Sequence, residues 1–134
     1  MIEYATTVDG FEERDFEGFF VGWARRPSVS VHLDVLRGSA HVVVARDGAN
    51  GRVVGFVNAL SDGALSAFIP LVEVLPEYQG RGIGTELVRR MLALLGGHYM
   101  VDLCCDEALV PFYERFGMSR LVGMGHREPS SIPG

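Results

Sequence analysis

Apolar and polar positions change period several times along the chain, and the changes mark its elements. "IEYATT" (2–7) alternates briefly and predicts a first strand. "FEERDFEGFFVGW" (11–23) carries apolar residues at 11, 16, 19, 20 and 23, near helical spacing, and predicts a helix whose end is weakened by Gly18 and Gly22. "RRPSVSVHLDVLRGS" (25–39) predicts a second helix, with Pro27 near its start and Gly38 as its stop. In "AHVVVARDGANGRVVGFVNALSDG" (40–63) two valine-rich runs flank "DGANG", whose residues tolerate positive φ, so a β-hairpin is expected. "ALSAFIPLVEVLP" (64–76) reads as a long strand that ends at Pro76.

Residues 80–95 return to the helical period: Ile83, Leu87, Val88, Met91, Leu92 and Leu95 form one stripe, and Arg89 and Arg90 face outward. "YMVDLCC" (99–105) is a buried strand by composition. "DEALVPFYERFGM" (106–118) is a short helix with Asp106 as its cap and Pro111 tolerable only in the first turn. "SRLVGMGH" (119–126) predicts a last strand, and 127–134 a frayed tail. Three consecutive strands imply antiparallel pairing, and the strand–helix–strand passage from 64 to 105 implies a parallel pair through a right-handed crossover. The expected fold is a mixed α/β sheet with helices on its faces.

The 134 residues suit one domain, 1–134. The net charge of −5 offers no general attraction to nucleic acid or to an anionic membrane, and no apolar stretch has membrane-spanning length. Cys104 and Cys105 are adjacent and read as reduced thiols of a cytoplasmic protein. The four histidines show no ligand spacing, so no metal is expected.

Between the strand 64–76 and the helix that follows lies "YQGRGIG" (78–84), with Gly80, Gly82 and Gly84 at alternate positions. A helix N-terminus there offers unpaired amides and a partial positive charge, and glycine lets an anion approach the backbone without a Cβ in the way. Arg81 adds a charge, while Gln79 and Thr85 add neutral donors. The chemistry is that of a diphosphate cradle. The loop lacks the lysine of a P-loop. Its G-x-G-x-G spacing departs from the dinucleotide fingerprint, although Asp102 lies about where a ribose-binding acid would.

"VLPEYQGRGIGTELV" resembles the acetyl-CoA signature of the GNAT superfamily of N-acyltransferases, [QR]-x-x-G-x-[GA], filled by Gln79, Gly82 and Gly84. "PFYERFGM" (111–118) resembles that family's closing segment, with Met118 where phenylalanine is usual. The resemblance implies a six- to seven-stranded mixed sheet with four helices and with two splayed parallel strands, 64–75 and 99–105, that admit the pantetheine arm of acetyl-CoA. It implies backbone contacts to the arm at Glu73, Val74 and Leu75, pyrophosphate contacts over Gln79, Gly80, Arg81, Gly82, Ile83, Gly84 and Thr85, and a weaker CoA contact at Asp106. Tyr113 matches the family's general acid, and Glu73, an acid inside an apolar strand, is the candidate base, with Asp102 second. Trp23, Arg25 and Arg26 fall where family members line the acceptor pocket. The implied reaction is direct attack of an amine, small-molecule or protein-borne, on acetyl-CoA, with no acyl-enzyme, and homodimers are frequent in the family. A CoA-sensing module without turnover and a dinucleotide enzyme are the alternative readings.

Overall fold

The computed structural model describes residues 1–133. Five strands, β1 (Ile2–Ala5), β2 (His41–Asp47), β3 (Val53–Ser61), β4 (Ser66–Val74) and β5 (Met100–Leu103), form one sheet in chain order. β1 to β4 pair antiparallel, and β4 pairs β5 in parallel. Three α-helices complete it: α1 (Val29–Arg37), α2 (Ile83–Leu94) and α3 (Val110–Glu114). The mixed α/β class, the hairpin and the crossover helix follow the hydrophobic pattern. The sheet has five strands rather than six or seven, and there are three α-helices rather than four.

Both differences have local causes. The helix expected over 11–23 is only a 3-10 turn, Glu13–Phe16. Beyond it Gly18, Phe20 and Gly22 take φ of 97°, 63° and 85°, three left-handed residues that no helix can contain. The strand expected over 119–126 pairs with nothing among the described residues; Leu121, Val122 and Met124 are 76%, 100% and 99% exposed. α1 starts after Ser28, whose hydroxyl accepts from the Val31 amide at 3.2 Å and so caps the helix. Pro27 therefore lies outside the helix. Gly38 stops it, with an ordinary right-handed φ of −81°. Pro111 sits in the first turn of α3, where its missing donor is harmless.

The core lies between the sheet and the helices, with Val43, Val44, Phe56, Val57, Leu87 and Met91 fully buried. His32 is buried with them, 1% exposed, and its Nε2 has no hydrogen-bond partner. The rings of Phe16, Phe19, Phe20 and Phe56 surround it with centroids 4.4–5.4 Å away. Burial favours the neutral imidazole and lowers its pKa from 6.5 to about 4. A lowered folded-state pKa gives a contribution to stability that is complete above pH 6.5 and is lost as pH falls toward 4. The shift corresponds to roughly 3 kcal/mol. Denaturant titrations across that window should show wild-type stability falling by an amount that His32→Phe does not share; parallel curves would remove His32 as the cause.

Candidate active site

β4 places the site. It pairs with β5 only over Ser66–Ile69, yet continues beside β3 as far as Val74. Pairing with β5 ends just before Pro70, where the β3 register also shifts: Leu60 faces Phe68, but Asn58 faces Leu71. Proline cannot donate to a ladder, so β4 bulges there, and its last four residues run on past the end of β5, paired with β3 alone. The Leu75 amide donates to the Val54 carbonyl at 2.8 Å, toward β3. Strand alternation then turns the amides of Val72 and Val74 to the open edge. β5 ends at Leu103, opposite Ile69, so residues 70–74 of β4 present an edge with no strand beside it; a gap there is what the family resemblance implies. Its sequence signal is Pro70.

The chain leaves β4 through Leu75, makes the 3-10 turn Pro76–Tyr78, and enters α2. Gly80 and Gly82 have φ of 78° and 82°, and a Cβ on either would meet no protein atom within 4 Å. Their freedom is required by backbone conformation and by nothing that packs on them. Gly82 is the N-cap of α2 and supplies no side-chain cap. The first intrahelical bond is from the Glu86 amide to the Gly82 carbonyl, at 3.1 Å, so the amides of Ile83, Gly84 and Thr85 point out of the helix uncapped. A left-handed turn with bare amides and a dipole behind it fits a pyrophosphate. Gly84 differs from the other two. Its Cβ would stand 3.8 Å from Val74 Cγ2 and 4.0 Å from Phe112 Cζ, so β4, α2 and α3 converge there.

The loop is tied down from outside. Tyr78 donates to Asp47 at 2.6 Å, Arg52 pairs with Glu77 at 2.9 Å, and together they clamp 76–78 to the β2–β3 turn. The hydrogen bond from Tyr78, then that from the Ala49 amide, holds the Asp47 carboxyl below its ordinary pKa. Gln79 donates through Nε2 to the Val74 carbonyl at 3.0 Å, which links the cradle to the end of β4. Arg81 donates to the Glu77 carbonyl and lies 4.8 Å over the Tyr78 ring. Its charge therefore sits beside the cradle, with the guanidinium folded back on the loop.

Tyr113, in α3, is 8% exposed, with its ring 4.9 Å from that of Phe112. Burial, and secondarily Cys105, raises its pKa above 10. Among the described residues its hydroxyl makes no hydrogen bond. Glu73 is half-buried at the end of β4. Its Oε1 accepts from the Phe20 amide at 2.9 Å and its Oε2 from the Val21 amide at 3.3 Å. Trp23 follows on the same loop, 43% exposed and 5.1 Å from Phe20, and Arg25 and Arg26 are exposed beyond it.

Asp102 and Asp106 are placed by β5 and the turn that follows it. Asp102 pairs with Phe68, within the paired stretch of β4 and β5. Five residues along a strand put it about 17 Å from the level of Glu73. Asp106 occupies the N-cap of a 3-10 turn, Glu107–Leu109, but its carboxylate caps nothing. Phe20, Tyr78 and Pro70 are the residues that the sequence reading passes over.

These features meet a known pattern. A sequence profile of the acetyltransferase (GNAT) family matches residues 8–118. A Deinococcus radiodurans protein of known crystal structure, assigned to the acetyltransferases, is 45% identical, with a TM-score of 0.95 over 99% of this chain and 92% of its own. A GNAT family acetyltransferase of Streptococcus pneumoniae is 28% identical, with a TM-score of 0.77 over 96% and 98%. Histone acetyltransferase TAP1 of Glycine max is 32% identical over 72% of this chain and 46% of its own length. An N-acetyltransferase, ycf52, of Pyropia yezoensis is 30% identical over 72% and 58%. The chain thus spans about half the length of the curated relatives it matches. The profile covers most of the sequence and the structural likeness almost all of it: the chain belongs to the GNAT family of N-acetyltransferases.

Proposed function

We propose that the chain is a single N-acetyltransferase domain that transfers the acetyl group of acetyl-CoA to a primary amine by direct attack, without an acyl-enzyme. The observation that carries this is the junction of the end of β4, unpaired on its β5 side, with the uncapped amides of α2. Acetyl-CoA supplies an activated acyl thioester. The amides of Ile83, Gly84 and Thr85 would hold its pyrophosphate, and the open edge at Val72 and Val74 would pair with the peptide-like pantetheine arm as an added half-strand. The Val74 amide would then face the thioester carbonyl and polarise it. Glu73 takes the proton of the attacking amine through solvent, and Tyr113 donates one to the departing thiolate.

The acceptor is an amine of a class the chain's acidity favours: a polyamine, an aminoglycoside, or a protein lysine or N-terminus, with net charge −5 drawing cations. The soybean relative named as a histone acetyltransferase supports a protein lysine among these. We place the chain in the cytoplasm, on the two exposed free thiols Cys104 and Cys105, although two Arabidopsis relatives are named chloroplastic. A homodimer is part of the same reading. The exposed Leu121, Val122 and Met124 call for a covering surface, and β5 ends the sheet with an unpaired edge. Light scattering at the mass of one chain would remove that part.

Thermal unfolding in the presence of CoA, acetyl-CoA or NAD(P), followed by release of free CoA thiol across a panel of amines, tests the whole. Protection by CoA and acetyl-CoA, with amine-dependent thiol release, is expected. Protection without release on any amine would favour a CoA-sensing module, and protection by NAD(P) alone a dinucleotide enzyme.

A further inference from the structure

The segment 18–23 is held in an unfavourable shape. Phe20, at φ 63°, is the one non-glycine residue with positive φ among those described, between Gly18 at 97° and Gly22 at 85°. A left-handed conformation is disfavoured for a residue with a Cβ and persists only where its surroundings impose it. The Phe20 ring is held: it is 4% exposed, 4.9 Å from His32 and 6.4 Å from Phe56. The backbone is held by a carboxylate 53 residues away. Glu73 accepts two consecutive amides, one on each oxygen, at 2.9 Å and 3.3 Å. Such bonds to an ionised acceptor are about twice as strong as neutral ones.

This grip fixes what the loop displays. With Phe20 turned into the core, Val21 and Trp23 remain 47% and 43% exposed beside the end of β4. We propose that Glu73 is a positioning residue: it clamps the 18–23 loop so that Val21 and Trp23 form the acceptor-side wall of the acyl-transfer site. The role as wall rests on the acetyltransferase reading; the clamp itself does not. Each carboxylate oxygen keeps lone pairs beyond its amide bond, so holding the loop and accepting a proton are compatible.

The chain's single tryptophan lies on the loop and reports on it directly. Glu73→Gln keeps the side-chain volume but turns an amide NH2 toward one of the two backbone N–H groups. Glu73→Ala removes both acceptors. In ligand-free protein, acrylamide quenching of Trp23 fluorescence should increase in Glu73→Gln and further in Glu73→Ala, with the far-ultraviolet circular dichroism unchanged. Quenching identical to wild type in folded Glu73→Gln and Glu73→Ala would overturn the clamp, whatever the enzyme's activity. The acceptor KM should rise about tenfold or more in Glu73→Gln, the scale of losing a hydrogen bond to a charged group, with CoA affinity retained. Trp23→Ala, which leaves Glu73 in place, should raise that KM without shifting the pH profile of kcat. Loosened Trp23 with an unchanged acceptor KM in both variants would keep the clamp and reject the wall. Absence of acetyl transfer in wild type, with the quenching result intact, would reject the function alone.

Discussion

Tyr113→Phe should lower kcat by about two to four orders of magnitude while leaving CoA affinity unchanged, the scale of losing a positioned general acid. The hydroxyl makes no hydrogen bond to the described residues, so its removal breaks no structural contact, and the ring's packing on Phe112 is kept. Phe112 in turn lies against the start of α2 at Gly84, beside Val74, which puts α3 at the end of β4. Burial raises the pKa above 10, which keeps the phenol protonated at neutral pH and able to donate. A raised folded-state pKa also carries a stability sign. The contribution is whole below pH 10 and is lost as pH rises through the higher folded value. Wild-type stability should therefore decline in strong alkali more than that of Tyr113→Phe. Steady-state thiol release gives the rate, and calorimetric titration of CoA gives the affinity. A kcat within a few-fold of wild type would exclude Tyr113 as the acid.

What could be read from the chain divides by the range of the interaction that decides it. The hairpin over 40–63 is legible because both strands and the turn at "DGANG" are local, and it forms as His41–Asp47 against Val53–Ser61. The strand–glycine–helix junction is legible for the same reason: glycine, helix start and strand end are contiguous in sequence. The segment 11–23 is not. Its aromatic residues are spaced as on a helix, but Phe16, Phe19 and Phe20 pack around His32, and its backbone is held by Glu73. Both partners are distant in sequence. Asp102 looked like Glu73, an acid inside an apolar strand, and only the parallel register with Phe68 separates them. The run 119–126 has strand composition but no strand partner among the described residues, and composition cannot supply one. Pro70 was readable in principle. A proline inside a long strand marks an edge or a bulge, and here the β3 register shifts beside it, where pairing with β5 ends.

Gly82→Val should abolish measurable CoA binding in a protein that still folds. Two effects combine. At φ 82° a β-branched residue is strongly strained, which moves the start of α2. Its side chain would also add bulk at the N-cap, next in the chain to the uncapped amides of Ile83, Gly84 and Thr85. Each hydrogen bond to a charged group is worth about 1.5–3 kcal/mol, so loss of two or three weakens binding by at least about a hundredfold. The strain itself is controllable. Gly63, in the β3–β4 turn at the opposite end of the sheet, has φ 77° and likewise no protein atom within 4 Å of a built Cβ. Gly63→Val therefore carries a similar backbone penalty far from the cradle. Calorimetry on the two variants separates destabilisation from obstruction: both lose melting temperature, and only Gly82→Val loses the ligand. Equal CoA affinity in the two would mean that the diphosphate is bound elsewhere, and the placement of acetyl-CoA along β4 would fall with it.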